Sequence, residues 1–447
     1  MNPRALILAL VTASGAVQAQ PEAPYPSTYK PASSPTTAIV GATILTAAGP
    51  QLNGGTVILQ NGKILQVGEN IAIPADAVVI DGKGKWVTPG IIDIHSHLGV
   101  FSSPGVPSMR NGNEKTAKNT AEVWAEHSIW PQDPGFEQAR RGGVTTLAIL
   151  PGSANLFGGR SVTIKNVPAV SVQAMKFPAA RYGAKMACGE NPITYAARGN
   201  DPFTRMGNMA GFRSAFIDAQ AYLERRNTTK DRSAFKVDLK LETLAGILAG
   251  EIDTHIHCYR ADEMMQMIDL SKEFGFNITA FHHATEAYKI ADILAKENIA
   301  IATWADRWGF KLEAYDAVPL NVAALEWAGV HTMLHSDSAT LIQRLNIEAA
   351  MAIASAKRVN KTISREEAIR WITLNPAVSM AIADRTGSLE PGKMADVVVW
   401  SADPFSVYAV AEKVYIDGVL LVDRTQAATA PESDFLLGQP ALEANNE

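Results

Sequence analysis

Two His-x-His pairs stand out among the 9 histidines of this 447-residue chain: His95 with His97, and His255 with His257. Composition alone gives roughly 0.2 such pairs per chain, so the set carries more signal than either pair. Strand residues two apart point to the same face. Two imidazoles on one face at a strand's end form half of a metal site. Neutral imidazole and carboxylate together suit Zn²⁺ and similar first-row ions. Comparable groups follow along the chain: Lys185 with Glu190 just beyond it, the doublet His282-His283, and Asp337 in Leu334-His-Ser-Asp-Ser. An ion held by such a set would activate water for attack on a carbonyl.

Each neighbour also has a plainer reading. A lone strand histidine is usually a satisfied polar residue, so His127 and His331 receive no role. His335 shares a strand face with Asp337, and Asp93 shares one with His95; Asp93 reads as an acceptor behind the ligands or a structural carboxylate. Lys185 lies in an apolar run (Ala184, Met186, Ala187). A buried unpaired ammonium is costly, so it needs a partner or a chemical change. Met264 and Met267 fall on one helical face with Ile268 and Ser271, which reads as core packing rather than a soft-metal box. Cys188 and Cys258 flank suspected site residues and read as small packing residues, a bridge between them having no support in the sequence. Arg260, three residues past His257, is within reach of a pocket mouth, where its fork suits a carboxylate; an ion pair with nearby acids is an equal reading. Tyr259 is an alternative polar contact for a developing oxyanion.

These residues need a scaffold. Arg4, the apolar run Ala5–Val11 and Val17-Gln18-Ala19 read as a secretory signal over residues 1–19, with a mature chain from Gln20 that is periplasmic or secreted. The apolar stretch is too short to span a bilayer with margin, and no stable membrane insertion is expected once the signal is removed. Residues 20–36 are a Pro/Ser-rich linker. Short β-rich runs fill residues 37–85, and similar runs (Asp396–Trp400, Val414–Val422) fill 386–425, predicting a small β-sandwich module built from both ends; residues 426–447 form a tail. Between them, over 86–385, strands alternate with helical patterns such as Ala287, Ile290, Ile293 and Leu294. Repeated βα units predict a parallel sheet and a (β/α)8 TIM-like barrel, with Ser161–Lys165 as the third strand. Every candidate ligand then falls at a strand's C-terminal end, where such barrels carry their chemistry. The apolar fraction of 47% predicts a sizeable core, and the net charge of −5 argues against nucleic-acid binding.

The run Pro89-Gly-Ile-Ile-Asp-Ile-His95-Ser-His97, the later strand histidines, Ser336-Asp337 and the tail motif Gly387-Ser-Leu-Glu-Pro-Gly-Lys-Met-Ala-Asp396 together resemble the metal-dependent amidohydrolase superfamily. The resemblance spans about residues 37–425 and is closest to the imidazolonepropionase-like branch with its prolidase-type enzymes. It implies one or two divalent ions, zinc foremost. His95 and His97 would hold the more buried ion, and Lys185 would be the carbamylated lysine that bridges two. His257, His283 and Asp337 would be the ligands of the fifth, sixth and eighth strands. His257 is preferred to His255 because Ala261-Asp262-Glu263 follows it, and His283 to His282 because Ala284-Thr285-Glu286 follows it. Glu190 is an alternative bridging ligand, and His255 joins Tyr259 and Arg260 as a substrate contact. Asp337 would take a proton from water and deliver it to the leaving nitrogen.

The implied activity is hydrolysis of an amide, peptide-like or cyclic-amide C–N bond in a small-molecule substrate such as a peptide or N-acyl amino acid; a homo-oligomer is compatible with it. One alternative is a mononuclear deaminase of a cyclic amidine, whose shuttling Glu near the fifth-strand histidine has no counterpart in His257-Cys-Tyr-Arg. The other is a non-catalytic binding protein on the same barrel. Such proteins usually lose ligands that this chain keeps.

Overall fold

The computed structural model describes residues 24–195 and 202–425. The expected signal segment and the tail lie outside the described residues. Five strands come first: β1 (Thr37–Ile44), β2 (Leu52–Gln60), β3 (Lys63–Gly68), β4 (Val78–Asp81) and β5 (Trp86–Pro89). Eight follow: β6 (Ile91–Ser96), β7 (Val144–Ile149), β8 (Phe157–Lys165), β9 (Gly183–Ala187), β10 (Asp253–Cys258), β11 (Ala280–His283), β12 (Ala300–Thr303) and β13 (Thr332–Leu334). The last three are β14 (Val397–Trp400), β15 (Ala411–Ile416) and β16 (Val419–Asp423).

The two ends of the chain share one sheet, ordered β16-β15-β14-β5-β1-β2-β3, with β4 added against β1. The joint is β14, antiparallel to β5. Alternate apolar residues of both segments, such as Ile39, Val57, Val87, Val397 and Val399, form its core. The module therefore includes Trp86–Pro89 and runs past the expected boundary at residue 85. Gly90 carries the chain across to the barrel. A Cβ there would stand 2.1 Å from Thr145 Oγ1, so only glycine fits. The tail motif has a packing role: Lys165 Nζ, buried at the end of β8, reaches Asp396 Oδ1 at 2.8 Å and Asp417 Oδ2 at 3.0 Å.

β6–β13 form the barrel sheet in sequential order, with helices outside. All its ladders are parallel except those of β8, which runs antiparallel to both β7 and β9. The expected third strand exists, but its direction is reversed. A parallel crossover takes a dozen or more residues, and the loop after Ile149 resumes as strand at Phe157. At the seam between last and first strands, Leu334 N–H donates to Trp371 O (3.1 Å) and Ile92 N–H to Ile372 O (2.8 Å), so this backbone lies between β13 and β6. Asp337 N–H donates to His95 O at 3.0 Å, which ties two candidate ligands together through the main chain.

The helix Ala261–Phe274 buries Met264, Met267 and Ile268, as the core-packing reading requires. The expected helical face at Ala287–Leu294 is split into a 3₁₀ turn over Ala287–Ile290 and a helix over Ala291–Lys296. The described part of the linker is extended but strapped to the body. Thr28 N–H donates to Gln173 O (2.9 Å), and Tyr29 hydroxyl to Asp417 (2.5 Å).

Candidate metal centre

Three strand ends meet around His95. This side chain is fully buried, and its Nε2 stands 3.3 Å from His97 Nε2, 3.0 Å from Lys185 Nζ and 3.6 Å from Asp337 Oδ1. His97 Nε2 is 3.1 Å from the same carboxylate oxygen. Two nitrogen ligands of one tetrahedral ion stand about 3.3 Å apart, given metal–nitrogen bonds near 2.05 Å. The His95–His97 spacing thus fits a shared ion. The other ring nitrogens are engaged behind it. His97 Nδ1–H donates to Leu150 O at 2.8 Å, which fixes the tautomer that leaves Nε2 free. His95 Nδ1 pairs with His282 Nδ1 at 3.0 Å.

His283 and His257 complete the ring of imidazoles. The centroid of His283 is 4.9 Å from that of His95 and 4.5 Å from that of His257. Both nitrogens of His257 and Nδ1 of His283 are buried with no hydrogen-bond partner among the described residues. Buried polar atoms are normally paired, so these orphans are what an ion-binding site requires. Charge favours the same use. Burial holds His95, His257, His282 and His283 well below the ordinary imidazole value, and ligands must be neutral. Burial also pulls the Lys185 ammonium down to about 8. Burial alone would raise the Asp337 carboxyl, but its contact with His97 and the nearby His335 and Lys185 hold it below the usual value.

The backbone is strained where it presents these groups. His283 (φ 71°) and Asp337 (φ 51°) are left-handed without being glycine. Such positions cost about 1–3 kcal/mol each and persist only where their surroundings over-determine them. At His283 this is done by Thr303 Oγ1, which donates to His283 O (2.6 Å), and by His335 Nε2, which accepts its N–H (3.3 Å). At the seam, Asp93 accepts from His95 N–H at 3.0 Å and from the Ser336 N–H (3.2 Å) and hydroxyl, the acceptor role read from its strand face. Burial pushes its carboxyl up to about 7 against those hydrogen bonds.

Several expectations change. His255, expected as a substrate contact, lies two residues deeper in β10 than His257, buried, with Nδ1 2.9 Å from His282 Nε2. Two strand residues amount to about 6.6 Å of depth. Arg260 turns outward into an ion pair with Asp262 (2.9 Å) on the exposed start of its helix, so the equal ion-pair reading holds. Glu190 lies past the turn at Gly189 and faces Lys311 Nζ at 3.4 Å, whereas Lys185 is the group that reaches His95. Cys188 and Cys258 are joined as a disulfide. Tyr259 is stacked on His283 at 5.0 Å, and desolvation by burial keeps its hydroxyl protonated far above the usual range.

His335, already read onto the strand face of Asp337, forms a potential ligand group with His95 and His283. Two further features carried no signal in spacing. Trp304 stacks on His283 at 4.5 Å and donates from Nε1 to Ser336 O (3.1 Å). Lys311 Nζ lies 3.8 Å from the centroid of the Tyr259 ring and is anchored by Glu313 at 3.2 Å. Trp304 directly follows β12, and Lys311 comes from a loop that no motif marks.

The chain resembles known proteins along most of its length. The Amidohydrolase family model matches residues 275–422. The crystal structure of an amidohydrolase from Thermotoga maritima superposes with a TM-score of 0.80 at 36% identity, covering 87% of this chain and 100% of that one. The amidohydrolase tasK of Hapsidospora irregularis is 33% identical over 85% of this chain, which spans 41% of that protein's length. An imidazolonepropionase from Thermoplasma volcanium is 23% identical over 84% of this chain and 92% of its own. The chain belongs to the amidohydrolase family. It resembles imidazolonepropionases along most of its length.

Proposed function

We propose that this protein is an exported, metal-dependent hydrolase that cleaves the C–N bond of a small peptide-like substrate, a dipeptide or N-acyl amino acid. The observation that carries the reading is the convergence of His95, His97, Lys185 and Asp337 beside the orphaned nitrogens of His257 and His283. The imidazole-rich donor set favours zinc. His95, His97 and Asp337 would hold one ion, His257 and His283 a second, with Lys185 between them. A bound divalent ion supplies Lewis acidity toward a carbonyl and lowers the pKa of water.

The chain's own groups do the rest. Asp337, ionised and partly open to the cleft, takes the proton of the attacking water and returns it to the leaving nitrogen. The Tyr259 hydroxyl, kept protonated, donates to the oxygen on which negative charge develops. Trp304 and Tyr259 wall the cleft beside His283 and exclude bulk water from it. A panel of dipeptides, N-acyl amino acids and one cyclic amidine tests the reading. Hydrolysis in the first two classes that is lost to a chelator supports it; turnover of the amidine alone makes the protein a deaminase.

Lys185 as an ammonium would repel two cations. Reaction of its neutral amine with CO₂ forms an Nζ–C bond, releases one proton and yields an anion suited to bridging. Lys185→Ala is therefore expected to lower metal content, and added short carboxylic acids to restore part of the activity. Elemental analysis and initial rates check this. A variant with two ions and full turnover would move the bridge to Glu190.

Export is supported by the signal-like start of the sequence and by the disulfide, which persists in oxidising compartments. Among the described residues no helix is long and apolar enough to cross a membrane. N-terminal sequencing of the native protein is expected to begin near Gln20; a start at Met1 in the soluble cytoplasmic fraction would contradict export.

A further inference from the structure

The ligand candidates differ in what holds their rings. His97 is fixed by Leu150 O and His95 by His282. His257 has neither device, because both of its nitrogens lack a hydrogen-bond partner among the described residues. Metal-binding imidazoles almost always use the second ring nitrogen for orientation. Here the ring is set by packing against Tyr259 and His283 and by its backbone. That backbone is clamped one residue later by the Cys188–Cys258 disulfide.

The clamp sits where the two strands stop pairing. The β9–β10 ladder places Lys185 against His255 and ends with Ala187 against His257. Cys188 N–H then donates to His257 O at 2.9 Å, and the disulfide crosses at the next position. Beyond it the chains diverge. From Cys188 the chain turns through left-handed Gly189, and from Cys258 it enters the helix that starts at Ala261. Cys258 also binds the third histidine strand: Ala284 N–H donates to Cys258 O at 2.9 Å, next to His283. The bond is buried, with Cys188 at 4% and Cys258 at 0% exposure.

We infer that the Cys188–Cys258 disulfide is the positioning element of the metal centre, orienting His257 covalently where other ligands are oriented by hydrogen bonds. The inference rests on the proposed ligand role of His257. It assigns the cystine a duty beyond stability. The strand ends bearing Lys185 and His257 keep their spacing only while it is intact. A chain with free thiols folds but binds its ion less tightly.

A double-mutant cycle tests this, read as Zn²⁺ affinity by competition with a chromophoric chelator. The parent, Cys188→Ala/Cys258→Ala, His257→Ala and the combined variant are compared as full-length protein. Removing the disulfide is expected to weaken binding by about 10- to 100-fold, the usual cost of losing an orienting group. The same removal in the His257→Ala background is expected to cost little more, since the orienting effect acts through that ring. An equal loss in both backgrounds, or no loss in the parent, overturns the positioning role. A His257→Ala protein of unchanged affinity refutes the ligand assignment itself. Should the double-cysteine variant fail to fold, parent and His257→Ala proteins are treated with a trialkylphosphine, which with one water yields two thiols and the phosphine oxide. The same comparison then decides.

Discussion

His95→Ala and His97→Ala are each expected to remove bound metal and abolish turnover while leaving the far-UV circular dichroism near native. His95 Nε2 is the point on which Lys185, His97 and Asp337 converge, so its loss removes the centre of the cluster. His97 is less buried and gives up one hydrogen bond to Leu150 O, a stability loss on the order of 1 kcal/mol. The apolar cluster between strands and outer helices, including Leu147, Ile149, Leu334 and Trp371, contains none of these rings and is expected to hold without them. Elemental analysis, initial rates and dichroism on both variants check this. Full metal occupancy in both would place the site elsewhere.

Asp337→Asn separates binding from proton transfer. The amide keeps the shape of the side chain and an oxygen that can face the ion, and it preserves the Asp337 N–H bond to His95 O. It cannot take a proton from water. Much of the metal is expected to remain, with a rate loss of about 10²- to 10⁴-fold, the usual contribution of a general acid–base group. The loss should fall on kcat more than on KM, because the ground-state contacts survive. A fully active Asp337→Asn protein would remove the proton-transfer role from this residue.

The strand-end histidines were legible because strand periodicity and metal chemistry both constrain spacing. His95, His97 and Asp337 were found in that way, and Lys185 from the apolar run around it. What escaped was set by the third dimension. Both His255 and His257 face the barrel interior, so face alone did not separate depth from mouth; only the strand register shows that His255 lies below. Arg260 was read from its distance along the chain, but Asp262, two residues away on the same turn, draws it outward. The reversal of β8 follows from the short turn before it rather than from any residue within it. The disulfide joins residues 70 apart in sequence, and no local pattern announces it. The loop bearing Lys311 reaches the site only because it folds back over Tyr259.

The central claim is that this cluster is a working metal centre. Its most direct test is a titration of chelator-stripped protein with Zn²⁺, following bound metal per chain and the initial rate on one cleavable N-acyl amino acid. The account predicts no turnover in the stripped protein, then a rate that rises with occupancy and levels off at one or two ions per chain. Turnover that persists without metal, or a stripped protein that takes up no stoichiometric zinc, would contradict it.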